Sequence, residues 1–124
     1  MIEENKQKIK SFTDLNAWKE GHCLVLLIYK LISSFPQEEK FALADQMRRC
    51  VTSVTSNIAE GFSRQSKKEK LQFYSISKGS LTELQNQLII ARDVRYISEV
   101  TFGETIEKIT AVGRLLTGLI QYLR

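Results

Sequence analysis

Residues Asp45 to Arg64, DQMRRCVTSVTSNIAEGFSR, carry two helical stripes at once, whereas most surface helices have a mixed polar face. Met47, Val51, Val54 and Ile58 are spaced four, three, four and fall on one helix face. Gln46, Arg49, Ser53, Asn57 and Glu60 keep the same rhythm on a second face. At about 100° per residue the two stripes lie roughly 130° apart, giving an apolar seam for a core and a separate, ordered polar seam. The spacing predicts a central helix of a helical bundle.

Other apolar patterns extend this reading. From Cys23 to Ile32 only Lys30 is charged, so the first helix is apolar nearly all round and needs burial on more than one side. Leu24, Ile28 and Leu31 mark one face, and Trp18, Val25, Tyr29 and Ile32 another. Tyr74, Ser77, Leu81, Leu84, Leu88 and Ala91 form a third seam, and Ile106, Ile109, Gly113, Leu116, Ile120 and Leu123 a fourth. Helices are predicted near 14–34, 43–61, 67–94 and 99–123. Trp18, Val51, Val54, Ile58, Leu81, Leu84, Leu88, Ile109 and Leu116 are the expected core. Short connections make the fold all-α, an antiparallel up-down-up-down four-helix bundle.

Local signals punctuate the helices. Thr13 or Asp14 is the expected first cap, with Phe12 packing back on the opening turn. Pro36 ends helix one after Phe35. Gln37 to Ala42 is either an irregular turn or the start of helix two. Gly61 is the expected left-handed stop of helix two. Ser66 and Glu69 read as a capping box, Ser98 as a cap, and Gly79-Ser80 as a close approach of a neighbouring helix.

Gln46, the Arg48-Arg49 pair, Ser53 and the run Asn57-Ile58-Ala59-Glu60-Gly61 resemble the signature of four-helix-bundle proteins encoded in 23S rRNA intervening sequences. That family also includes the accessory variability proteins of diversity-generating retroelements. Phe12-x-Asp14-Leu15-x-x-Trp18, Phe35-Pro36 with Glu39, and Gly79-Ser80-x-x-Glu83 carry the likeness over most of the chain. The resemblance implies a homo-oligomer, a pentamer in characterised relatives. In the retroelement branch it also implies nucleic-acid binding and association with a reverse transcriptase through a basic surface. Members encoded in rRNA intervening sequences have no settled activity.

The chemistry a catalyst needs is thin, and no catalytic residue is assigned. His22 is the single histidine, and its neighbour Cys23 points about 100° away on a helix, so the two do not form a local nucleophile and base. There is no Glu-x-x-His pair for a di-iron site, no metal-ligating cysteine spacing and no phosphate-cradling glycine loop, so neither metal nor cofactor is expected. Cys23 and Cys50 read as reduced, buried thiols of a cytoplasmic protein.

The first ten residues are too charged for a signal peptide, and the longest apolar run is far short of the roughly 20 residues a membrane span needs. A soluble protein is expected, with residues 1–11 as a flexible tail and 12–124 as one domain.

Charge points to a partner class. The chain carries a net +4. Arg64, Lys67, Lys68 and Lys70 stand against Glu69 alone, and with Arg48 and Arg49 they are the candidate contacts for RNA or DNA phosphates. Aromatic residues are sparse there, so base stacking is not indicated. Gln46, Arg49, Ser53, Asn57 and Glu60 are read as a structural or interface stripe, with Glu60 needing a donor such as Arg64, Arg49 or a neighbouring subunit because a carboxylate opposes the dipole in the last helical turn. Two readings follow: a non-enzymatic homo-oligomer that binds nucleic acid without sequence specificity, as an accessory subunit, or a structural or protein-interaction module.

Overall fold

The computed structural model describes residues 8–124. The first seven residues of the expected tail lie outside it. Four helices follow a short 3-10 turn at Phe12–Asp14: α1 (Asn16–Ile32), α2 (Leu43–Ser63), α3 (Lys67–Asp93) and α4 (Glu99–Leu123). No strand occurs among the described residues.

Contacts fix their directions. Along α2 and α3 the pairs run Gly61 with Tyr74, Val54 with Ser77, Ser53 with Ser80 and Cys50 with Glu83, so one helix descends as the other ascends. Gly21 faces Thr55 and Arg48 lies over Tyr29, which sets α1 antiparallel to α2. Leu81 reaches Gly113, and Ser75 and Lys78 share a groove with Thr117, Gln121 and Arg124, which does the same for α3 and α4. Helix α1 touches α2 and α4, and α3 touches the same two, so α1 and α3 stand on opposite corners.

The core follows the seams. Met47, Val51, Val54 and Ile58 are fully buried, as are Leu24, Ile28, Leu84, Leu88 and Leu116. Burying each such side chain contributes about 1.5–3 kcal/mol. All six residues of the α3 seam are buried. In α4 the buried row is Thr105, Ile109, Val112, Leu116 and Ile120. Ile106, Gly113 and Leu123 of the expected seam sit at its edge, half-buried, so the seam is rotated by about a residue. Trp18 is also half-buried, packed edge-on against Phe12 at 5.5 Å and stacked on His22 at 4.8 Å.

Several local expectations are corrected. Neither Thr13 nor Asp14 caps α1; Ser11 caps the 3-10 turn in a reciprocal box with Asp14, and α1 opens from Leu15 without a side-chain cap. Residues Gln37–Glu39 form a 3-10 turn. Helix α2 opens from Ala42, which has no capping side chain, and Glu39 Oε1 accepts the Leu43 N–H at 3.1 Å in its stead.

Gly61 does not stop α2. No glycine has positive φ among the described residues, and α2 runs on to Ser63. A Cβ on Gly61 would lie 2.7 Å from Tyr74 Cε1, so the glycine serves the approach of α3. The approach expected at Gly79 is absent, since nothing lies within 4 Å of a Cβ built there, while Ser80 next to it is buried against α2.

The capping expectations at the other helix starts fare better. Ser66 Oγ accepts the Glu69 N–H at 3.1 Å, though the return bond of a full box is not formed, and Ser98 Oγ accepts the Thr101 N–H at 3.1 Å. The α3–α4 turn is closed by Tyr96 N–H to Ala91 C=O and Arg95 N–H to Arg92 C=O, with Arg95 in the left-handed region at φ 68°.

Candidate nucleic-acid interface

The six cations singled out from sequence fall in two places, Arg48 and Arg49 on α2 and the other four at the α2–α3 turn, with Arg48 turned toward Tyr29 of α1 and Arg49 toward the groove against α3. Arg49 and Arg64 are fifteen residues apart on or just beyond α2, about 22 Å along the axis. The first group is already paired. Arg48 Nη1 donates to Asp45 Oδ1 at 3.1 Å and Arg49 Nε to Asp45 Oδ2 at 3.0 Å, so two guanidiniums share one carboxylate. The Arg49 side chain is nonetheless 80% exposed, and such surface pairs are worth about 1 kcal/mol or less.

The second group sits at the α2–α3 turn, where two of the four cations do structural work. Arg64 Nη2 donates to Glu60 Oε2 at 2.7 Å and its guanidinium lies 4.8 Å from the Phe73 ring centre. This supplies the donor that Glu60 requires at the end of α2. Lys70 Nζ donates to the Phe62 carbonyl at 2.8 Å and lies 3.4 Å from that of Gly61, which also accepts the Arg64 N–H at 3.2 Å, so the ammonium sits over the carbonyl end of α2. Lys67 and Lys68 are exposed and enter no ion pair among the described residues.

Gln46, Arg49 and Ser53 of the polar stripe of α2 line a groove against α3, while Asn57 and Glu60 lie beyond it. Asn57 Nδ2 donates to the Ser53 carbonyl at 2.8 Å and to Ser53 Oγ at 3.0 Å, and Ser53 Oγ lies 2.9 Å from Ser80 Oγ. Gln46, Arg49, Cys50, Ser53, Ser80, Glu83 and Gln87 enclose about 430 Å³. Burial, aided by the nearby Glu83 charge, pushes the Cys50 thiol up to about 11. Cys50 Sγ meets the Ser80 carbonyl at 3.0 Å, as expected of a buried thiol, whereas Cys23 is exposed, against expectation, because it lies on the outer side of α1.

Two further cations lie outside these two groups. Lys78 of α3 and Arg124, directly after α4, flank a groove of about 290 Å³ with Ser75, Thr117, Ile120 and Gln121. The signal was present as a run without carboxylates from Lys108 to Arg124, but the groove exists only once α3 and α4 are set in register. No group of His, Cys, Asp and Glu among the described residues is arranged to hold a metal, and no helix is long and apolar enough to cross a membrane.

Comparison with known proteins agrees with this architecture. No curated protein matches the chain. A crystal structure of a protein of unknown function from the S23 ribosomal protein family of Bacteroides thetaiotaomicron superposes with a TM-score of 0.76 at 22% identity, covering 85% of this chain and 95% of that one. The sequence model of the 23S rRNA-intervening sequence proteins matches residues 13–118. Seams, helix order and this match together place the chain in the 23S rRNA-intervening sequence protein family.

Proposed function

We propose that this protein is a non-enzymatic, cytoplasmic homo-oligomer that holds RNA or DNA through the phosphate backbone, without sequence specificity, as an accessory subunit. The observation that carries the reading is the α2–α3 turn, where Arg64 and Lys70 are anchored on the fold while the adjacent Lys67 and Lys68 are exposed and enter no ion pair among the described residues. Anchored neighbours hold these charges in place, and phosphate contacts from such charges position a nucleic acid without reading its bases. Repetition of the turn around a homo-oligomer, a pentamer by family likeness, multiplies weak contacts into avidity. A reverse transcriptase is a candidate protein partner on the same likeness.

A second reading, a protein-interaction module, is favoured by apolar surface. Leu26 and Tyr29 on α1 are 58% and 43% exposed, and Phe41 on the following connection is 86% exposed. We assign this surface to subunit contacts.

Fluorescence anisotropy with labelled duplex RNA and duplex DNA at low salt tests the proposal. The parent is expected to bind both, and Lys67→Glu/Lys68→Glu to bind more weakly with its sedimentation unchanged. Lys70 is left intact because its reversal would uncap α2. Absence of binding by the parent favours the interaction module.

A further inference from the structure

The geometry points to the groove between α3 and α4 as a second contact surface for the backbone of a double-stranded nucleic acid, toward the same end of the bundle as the α2–α3 turn. This rests on the nucleic-acid reading above and assigns it a surface that the turn alone lacks.

Charge distribution is the first support. From Lys70 to Thr82 and from Lys108 to Arg124 the chain contains no Asp or Glu, and these are the two segments that the antiparallel register lays side by side. Lys78 and Arg124 pair with no carboxylate among the described residues. Other clefts differ: the one at the α3–α4 turn holds Asp93 and Glu99, the one beside α1 holds Glu104, and the α2–α3 groove holds Glu83.

The lining is the second support. Between the two cations lie Ser75, Thr117 and Gln121, side chains that donate hydrogen bonds to phosphate oxygens. No aromatic residue lines the groove, so it offers no platform for unstacked bases, and a duplex backbone is the form that fits.

Register supplies the third. Lys68, Ser75 and Lys78 share a face of α3, and Arg114, Thr117, Gln121 and Arg124 share a face of α4. The Leu81–Gly113 contact sets the antiparallel register, in which Arg114 on α4 and Lys68 on α3 lie on the same two faces beyond the residues that line the groove. The cations thus run along about 20 Å of helix axis, the length over which one DNA strand presents roughly six phosphates. The groove also lies along α3, the helix diagonal to α1, so it is separate from the apolar surface of Leu26 and Tyr29.

The test compares two doubly charge-reversed proteins of equal net charge with the parent on duplex DNA across a salt series. Lys78→Glu/Arg124→Glu alters the groove, and Lys40→Glu/Arg95→Glu alters connections at the other end of the bundle. The groove variant is expected to bind about tenfold or more weakly, with a log–log salt slope shallower by about 1.8, two lost phosphate contacts. The control variant is expected to keep the parent slope. Helix content and sedimentation of each variant check folding, and Lys78→Gln/Arg124→Gln repeats the experiment without introducing acids.

A parent that binds while the groove variant keeps its slope overturns the groove and leaves the turn standing. Equal losses in groove and control variants also overturn it, by showing a response to net charge alone. Failure of the parent to bind removes both proposals together.

Discussion

The Tyr96 hydroxyl donates to Glu39 Oε2 at 2.7 Å, joining the α1–α2 connection to the α3–α4 connection across 57 positions of sequence. Glu39 Oε1 meanwhile accepts the Leu43 N–H, so one carboxylate caps α2 and latches the end of the bundle. Phe35 packs on the Tyr96 ring at 5.2 Å, holding the hydroxyl in reach. The Tyr96 and Leu43 hydrogen bonds hold the Glu39 carboxyl below its ordinary 4.5, and the same bond raises Tyr96.

Because the Glu39 pKa is lowered on folding, its contribution is present above the ordinary carboxylate value and is lost as pH falls through the lowered one. Asp14, held down by the Lys10 and Ser11 backbone N–H groups, acts in the same direction. Thermal unfolding followed through the acid range should show parent stability falling below about pH 4.5. Tyr96→Phe should flatten that fall, since the main cause of the Glu39 shift is gone. An identical pH profile for the variant would contradict the latch.

Three backbone substitutions separate sterics from helix propensity. At Gly61 an added Cβ would meet Tyr74 at 2.7 and 2.9 Å and Phe73 Cβ at 3.1 Å, so Gly61→Ala should destabilise by about 1–3 kcal/mol despite its better propensity. Gly79→Ala, in open space, should stabilise by about 0.4–1 kcal/mol. Arg95→Gly relieves a left-handed residue in a helix-ending turn and should stabilise by about 1 kcal/mol. Urea unfolding midpoints give all three signs.

Thiol titration distinguishes the two cysteines. One thiol per chain, Cys23, should react quickly with an aromatic disulfide reagent near neutral pH, and two should react in denaturant, because Cys50 is buried and its thiol is pushed up to about 11. Rapid reaction of both in the native protein would mean that the α2–α3 contact opens readily.

Assembly should depend on the outer face of α1. Leu26→Glu with Tyr29→Glu places charge on surface that is 58% and 43% exposed in a single chain, so the lone bundle should still fold while the oligomer dissociates. Sedimentation velocity reads the result. A parent that sediments as a monomer at micromolar concentration would contradict the assembly proposed.

The seams of α2 and α3 could be read from the chain because a four-three spacing leaves one face to bury, and Val51, Val54, Ile58, Leu84 and Leu88 are buried as it requires. The roles of Gly61 and Gly79 could not. Each is a glycine within a helical pattern, and only the register of α2 against α3 decides which one meets a neighbour. The latch of Glu39 could not be read either, because its partner Tyr96 is remote in sequence. Among the candidate cations, Lys67 and Lys68 stand out only after the structure shows that Arg64 and Lys70 are engaged. Lys78 and Arg124 become neighbours only through the packing of α3 and α4.

The salt dependence of the parent protein's affinity for duplex DNA tests the nucleic-acid reading most directly. For each subunit that a duplex engages through Lys67, Lys68, Lys78 and Arg124, log affinity should fall linearly with log salt at a slope near −3.6, roughly a hundredfold between about 50 and 200 mM. A flat dependence, or no binding at the lowest salt, would contradict it.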